Sequence, residues 1–395
     1  MANPERSLLT AIVLAIGSEL TAGATRDTNS GDLAAELIER GVEVGRITAL
    51  PDRLGAVTEA FEAALDQAEL VISTGGLGPT PDDLTREAIA AACGATATVD
   101  AALEHWLRDL FERRGLPMAE ANLKQAWLIP GAVALSNGQG TAPGWWVEPD
   151  EAHVIVAMPG PPREMWPMWR AAVLPRLESR GLGQESAAET LRLSGIGESA
   201  LADLIGEAIL RAADPEVATY ARPDAVDVRI SAFGSGAGER VAAMAALLQP
   251  RLERWIFARG DATWPDVLAA RLAGRSVAVV EAGTGGQLAA LLGPVPWFVR
   301  GEVLPGAERG ADGSREGRSR DLRLEALRVR NAAAADIGLA LRARERYGDT
   351  AVSIATALGD REVSQVVRTA FLGGDEGRRR AALLACAELW RLLRE

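Results

Sequence analysis

At 395 residues the chain is too long for one ordinary hydrophobic core, so two or three domains are expected. Hydrophobic residues at 48% and charged residues at 24% describe a folded globular protein and exclude a disordered one. A formal net charge of −12 argues against a broad nucleic-acid surface and leaves only a local basic patch open.

The residue inventory removes several chemistries. With only His105 and His153, no HExxH or His-rich zinc site can be built. His105 sits in a helical pattern and His153 opens a strand, so both read as structural. Lys124 is the only lysine and no GK[ST] sequence exists, which excludes a Walker loop. Cys93 and Cys386 match no metal spacing and read as buried free thiols. The apolar runs are too short to span a membrane, and residues 1–6 lack the pattern of a secretory signal. A cytoplasmic location is therefore expected.

In chain order, Ala11–Ile16 is a buried-strand pattern that ends in Gly17-Ser18-Glu19. Thr28-Asn29-Ser30 precedes a helix with Leu33, Leu37 and Ile38 on one face and Gly41 as its stop. Val42–Ala49 is a second strand and Leu54–Ala68 a second helix. Leu70-Val71-Ile72 is a third strand, and Asp100–Arg114 a further helix. This βαβα order predicts a parallel sheet covered on both faces, with ligands beyond the carboxyl ends of its strands.

The third strand feeds the stretch LVISTGGLGPTPDDLTREA, residues 70–88. Its Gly75, Gly76 and Gly78 allow backbone N–H groups to approach phosphate oxygens, with Thr80 beside them. Asp82 and Asp83 follow. Together they can hold a divalent cation, or one of them can cap the helix that begins at Leu84. Glu19 reads as a ligand or base, or as a solvated loop acid. Lys124 pairs with phosphate or snorkels from a helix end.

A second glycine loop, Asn137 to Gly144, contains Gly138, Gly140 and Thr141 and leads into Trp145-Trp146. Those tryptophans either pack the domain or stack a base. The strand His153–Ala157 then runs into Met158-Pro159-Gly160, with Arg163 and Glu164 in the first turn of a helix. The turns at 17–19, 75–83 and 158–164 and the loop at 138–144 are expected to converge on one pocket.

From Ala171 the composition changes. Thr190–Gly195 and Val226–Phe233 are strand-like, and Gly197–Leu210 and Val241–Trp255 are helical. This is a small α+β module read as a spacer or dimerisation unit, since it lacks a GXXG loop. Beyond it lie the strand VAVVEA (277–282), a loop GTGG, and a Gly/Arg/Ser-rich insert over 301–330. Asn331–Tyr347 reads as a helix, Ala351–Ala355 as a strand and Gly377–Leu393 as a closing helix.

The segments IGSEL, DTNS, STGGLGPTPDDLTREA, NLKQA, NGQGTAPG and MPGPPREM, in this order and spacing, closely resemble the CinA family (competence/damage-inducible protein A). SGIGESALADLI and ARPDAVDVRI resemble the family's KH-like module. The resemblance implies three α/β parts. They are a three-layer MogA/MoCF-like (molybdopterin-binding) domain over 8–170, a KH-like α+β module over 171–259, and a degenerate CinA C-terminal domain over 262–395.

The resemblance also implies a nucleotide-diphosphate (ADP-ribose) pyrophosphatase that depends on a divalent metal, Mg²⁺ or Co²⁺. Its partner would be a small nucleotide substrate, and a homodimer is implied by the family alone. Carried onto this chain, Asp82 and Asp83 hold the metal, Glu19 assists as ligand or base, and Lys124 and Asn137 lie near the diphosphate. Gly17, Asn29, Gly75, Gly76, Gly78, Thr80, Gly140, Thr141, Gly144 and Gly160 line the substrate. The family's second activity, nicotinamide-mononucleotide deamidation, uses a Glu-Ser-Cys-Thr-Gly-Gly motif with serine as nucleophile. Here the motif is Glu281-Ala282-Gly283-Thr284-Gly285-Gly286, and alanine has no oxygen to attack an amide. The later tyrosine- and lysine-bearing segment and the TGIAGPGG segment are also altered, so loss of the deamidase is expected. The other reading of the whole chain is non-catalytic: a pterin or nucleotide binder, or a competence-linked scaffold.

Overall fold

The computed structural model describes residues 7–222, 224–293, 295–305, 321–358 and 363–394. Two compact units form, Met1–Ala187 with Phe233–Ala237, and Ala188–Ala232 with Gly238–Glu395.

The first unit opens with β1 (Thr10–Ile16), α1 (Ser18–Thr21), α2 (Asn29–Glu39), β2 (Glu43–Leu50), α3 (Leu54–Leu65), β3 (Leu70–Thr74) and α4 (Thr85–Ala92). β4 (Thr98–Val99), α5 (Ala101–Arg113), a 3₁₀ turn at Glu120–Ala126 and β5 (Trp127–Leu128) follow. β6 (Val133–Leu135), β7 (Gly144–Val147), β8 (Val154–Met158), α6 (Pro162–Met168), a π turn at Trp169–Val173 and α7 (Leu174–Arg180) complete it.

The main sheet has the order β2-β1-β3-β8-β7-β6. Its first four strands are parallel, but β7 and β6 run against their neighbours, so the sheet is mixed where a parallel one was expected. The reason is the short link between β7 and β8, which only an antiparallel pair can use. Asp150 shapes that link by accepting from the Ala152 and His153 N–H groups and contacting the His153 ring.

Alternation along β1 supplies both faces of the core. Ala11 and Val13 pack with Leu33 and Leu37 of α2, whereas Ile12, Leu14 and Ile16 pack with Val57, Phe61 and Ala64 of α3. Each such large apolar side chain contributes about 1.5–3 kcal/mol by leaving water. Trp145 and Trp146 are buried in these two cores, so packing accounts for them and base stacking does not. Trp169, Val173 and Leu177 join the α2 side, and the first unit thus extends past residue 170.

The second unit holds β9 (Ser186–Leu193), α8 (Glu198–Ile205), α9 (Glu207–Leu210), β10 (Glu216–Ala221), β11 (Val226–Phe233), α10 (Ala237–Leu252) and β12 (Ile256–Arg259). Their sheet has the order β10-β11-β9-β12. The helix expected over 197–210 divides at Gly206, whose φ of 92° is outside the helical region.

Next come α11 (Trp264–Leu272), β13 (Val277–Ala282), α12 (Gln287–Leu292), β14 (Phe298–Leu304), α13 (Leu322–Ala332), β15 (Ile337–Arg346), β16 (Asp349–Ala357), β17 (Val363–Ala370) and α14 (Gly374–Leu392). These strands form a sheet in the order β14-β13-β15-β16-β17. The helix expected over 331–347 is instead the strand β15. Its Ala, Leu and Arg are helix formers, but pairing with β13 on one side and β16 on the other overrides that propensity. The insert expected over 301–330 begins inside β14 and ends inside α13, and residues 306–320 lie outside the described residues.

Candidate active site

The carboxyl ends of β1, β3 and β8 open on one cleft of about 810 Å³ in the first unit. Its walls come from all four turns expected to converge: Gly17 and Glu19, Gly75 to Pro79 with Asp82 and Asp83, Gly140 and Thr141, and Gly160 to Glu164.

The glycine requirement at the floor is steric. Gly75 has φ 97°, and a Cβ there would lie 2.0 Å from the Ile16 carbonyl oxygen. At Gly76, φ 65°, a Cβ would lie 2.2 Å from the Thr85 hydroxyl oxygen. That hydroxyl is buried and donates to the Gly75 carbonyl at 2.8 Å. The loop after β3 is thus pressed onto the end of β1 and locked by the first residue of α4. Asn29 adds a second lock, donating from Nδ2 to the Gly160 carbonyl at 2.7 Å.

Six carboxylates line the cleft: Glu19, Asp27, Asp52, Asp82, Asp83 and Glu164. Their hydrogen bonds sort them. Asp27 accepts from the Ser30 N–H at 3.1 Å, and Asp52 from the Ser18 N–H at 2.6 Å. Asp83 Oδ2 accepts from the Thr80 N–H at 2.9 Å and from its hydroxyl at 2.5 Å. These three acids shape turns.

Helix capping is not the role of the Asp82-Asp83 pair. α4 starts at Thr85 behind Leu84, with no side-chain cap. Asp82 is the exposed member of the pair. Its carboxyl is held below the usual range, first by the Thr80 hydroxyl and, after its own backbone N–H, by the charge of Lys124. The Thr80 hydroxyl has one proton, which in this geometry goes to Asp83, so the two acids compete for one donor.

Four expected site residues stand behind the cleft wall and do not line it. The Lys124 ammonium is paired with Glu87 at 2.6 Å, which leaves it as a strut between α4 and the 3₁₀ turn. Thr80 spends its N–H and hydroxyl on Asp83. Gly144 is buried in β7, where a Cβ would meet Met168 Sδ at 2.5 Å. Asn137, 4% exposed, organises the loop that follows it.

The residue that sequence reasoning missed is Arg86. It is fully buried in the first turn of α4, and its guanidinium donates to the Leu77 carbonyl at 2.7 Å and the Pro143 carbonyl at 3.0 Å. One side chain therefore ties the glycine loop to the 138–144 loop. Burial pulls its pKa down to about 10, against the pull of Glu87 and Asp83, so it stays charged at neutral pH. The available signal was a charged residue on the apolar face of a helix next to a glycine loop.

Two family descriptions match this chain: the probable molybdopterin binding domain over residues 12–179 and the damage-inducible protein CinA KH domain over residues 188–258. A CinA-like protein of Deinococcus radiodurans is 47% identical over 297 residues, which cover 74% of this chain and 73% of that protein. The chain belongs to the CinA family. A CinA-like protein of Thermomicrobium roseum is 39% identical over 350 residues, 86% of this chain and 85% of the relative. The structure of CinA from Thermoplasma acidophilum, described as of unknown function, is 31% identical with a TM-score of 0.40 and covers 43% of this chain and 98% of its own. Within the CinA family frame, the first unit is the α/β domain that matches the probable molybdopterin binding (MoCF) description.

In the second unit the segment Glu281 to Gly286 serves packing. Glu281 is fully buried and accepts from the Thr284 hydroxyl at 2.5 Å and from the N–H groups of Leu288 at 3.0 Å and Ala289 at 2.9 Å. It caps α12 and ties that helix to the end of β13. Ala282, beside it, ends the strand without a hydroxyl.

Proposed function

We propose that the first unit is a metal-dependent hydrolase of nucleotide diphosphates, with ADP-ribose or a close relative as substrate. One observation carries this reading: the backbone of Gly75 to Gly78 shares a cleft with Asp82 and Asp83 at the carboxyl ends of parallel strands. Such a position suits a phosphate held by main-chain N–H groups.

The charge of the cleft supports a cation requirement. Six carboxylates face only three guanidinium groups, those of Arg26, Arg114 and Arg163. A diphosphate entering that excess of negative charge needs a positive ion between it and the acids. Among the described residues no three His, Cys, Asp or Glu side chains gather as a ready-made metal cluster. Mg²⁺ suits this arrangement, because one or two carboxylates and substrate phosphates complete its shell. Asp82 and the free oxygen of Asp83 would hold it, and when bound it would neutralise charge that develops on the diphosphate. The chain's own groups would do the rest. The glycine-loop N–H groups orient the phosphates, and Arg86 fixes the distance between the two loops that contact them.

The match to a probable molybdopterin binding domain favours a second reading, a pterin or nucleotide binder without turnover. Incubation of the full chain with ADP-ribose and Mg²⁺ or Co²⁺ separates the two. The hydrolase forms AMP, Asp82→Ala lowers that rate by about 10²-fold or more with folding intact, and Asp82→Ala turnover equal to wild type would remove the metal role. Among the described residues no helix is long and apolar enough to cross a membrane.

A further inference from the structure

The cleft contains a carboxylate that the family-derived site leaves unassigned. Glu164 lies in the first turn of α6, its side chain is 11% exposed, and it faces the cleft. Asn137 Nδ2 donates to its Oε2 at 2.8 Å.

Asn137 is itself fixed on every side. Its Oδ1 accepts from the N–H groups of Gln139 at 3.0 Å and Gly140 at 2.8 Å, and its Nδ2 also donates to the Ala142 carbonyl at 2.9 Å. Two N–H groups on one end settle which end of the amide faces Glu164. Room for the carboxylate is built in as well. A Cβ on Gly140 would lie 2.0 Å from Glu164 Oε2, so glycine is needed there for the acid to occupy this position.

The sorting of the other cleft acids isolates Glu164 further. Asp27, Asp52 and Asp83 spend oxygens on backbone N–H groups. Asp82 and Glu19 are exposed and carry no comparable anchor. Only Glu164 among these acids combines low exposure with a side-chain amide donor on one oxygen, and its other oxygen, Oε1, meets only the exposed Arg163 in a long ion pair at 3.8 Å. The remaining charged groups of the cleft are Arg26, Arg114 and the acids already named. A carboxylate held by a neutral amide on one oxygen can take a proton on the other, which is what a general base requires.

We infer that Glu164 is the catalytic base that activates the attacking water, and that Asn137 is its positioning residue. The inference rests on the diphosphate-hydrolase reading. Glu164 takes one proton from water as the water oxygen bonds to phosphorus. The bridging P–O bond breaks, and its electron pair leaves on the oxygen of the second phosphate. The products are two phosphate monoesters, AMP and a sugar phosphate, and the proton passes from Glu164 to solvent.

The experiment compares wild type, Glu164→Gln and Asn137→Ala in full-length protein with ADP-ribose and saturating Mg²⁺, measuring kcat and KM across pH, with urea melts of each. Glu164→Gln keeps the hydrogen bond from Asn137, so it should fold. Its kcat should fall about 10²–10⁴-fold with KM within about threefold, and the decline of kcat towards acid pH should disappear. Asn137→Ala should lower kcat less and keep that decline. Wild-type AMP formation with an unchanged kcat in Glu164→Gln would overturn the base alone, as would a rise in KM with kcat retained. No AMP from wild type would overturn the hydrolase reading and the base with it.

Discussion

The Arg86 guanidinium donates to the Pro143 carbonyl across 57 residues of chain, and this bond joins two walls of the cleft that share no β ladder. The same group holds the Leu77 carbonyl, so the width of the cleft between the glycine loop and the 138–144 loop is set by one buried side chain. Burying a guanidinium is costly, and neutral carbonyls return only part of that cost. Its retention in the core suits a role in geometry more than one in stability.

Arg86→Met should therefore separate the two roles. Two carbonyls lose a charged donor, and the expected loss in urea denaturation is about 2–4 kcal/mol. The 75–78 and 138–144 loops should show raised amide exchange while β1 and β3 stay protected. Loss of AMP formation under conditions where the variant is still fully folded would point to the same conclusion. Unchanged exchange at both loops would contradict it.

Gly76→Ala should be far more damaging than Gly94→Ala, although both glycines have φ near +60°. Gly94 has open space around it, so alanine there costs about 1 kcal/mol of backbone strain. At Gly76 the new methyl meets the Thr85 hydroxyl that locks the loop, and about 2–4 kcal/mol is expected. Equal melting temperatures for the two variants would show that the loop can yield.

A pH dependence follows from Glu69. Burial raises its carboxyl pKa, but the Thr10 hydroxyl at 2.6 Å and N–H at 2.8 Å outweigh that and hold it below its ordinary value of 4.5. A carboxyl with a depressed folded value stabilises fully above the unfolded value and loses that contribution as pH falls through the folded one. Glu69→Gln should thus be less stable than wild type near neutral pH, with the gap closing below pH 4.5. Denaturation midpoints between pH 3 and 7 measure this, and a constant gap would refute it.

The C-terminal unit should be inert as a deamidase. Full-length protein is expected to release no ammonia from nicotinamide mononucleotide above the buffer rate. Ala282→Ser alone should not change this, because the resemblance places further lost groups in the segments around 300–310 and 354–361. Glu281→Gln should nevertheless destabilise the unit by about 1–3 kcal/mol, since three donors face that carboxylate. Ammonia release at a substantial rate from either protein would overturn the loss of function.

The strands of the first unit were legible because their signals are local. Ala11–Ile16 and Leu70–Ile72 are short apolar runs bounded by turn residues, and Leu33 and Leu37 repeat at helical spacing. The cleft's turns were legible for the same reason, since glycine clusters after strands mark where ligands approach an α/β sheet. Composition alone removed a His-rich zinc site and a Walker loop.

What only the tertiary structure decided concerns partners distant in sequence. Nothing near Arg86 says that it reaches Pro143, and nothing near Lys124 says that its ammonium pairs with Glu87. Nothing near Asn137 says that Glu164 arrives beside it across 27 residues to accept from its amide. Likewise the Ala-, Leu- and Arg-rich stretch Ile337–Arg346 becomes a strand because β13 and β16 flank it. Local propensity amounts to tenths of a kcal/mol per residue, and ladder pairing and burial outweigh it.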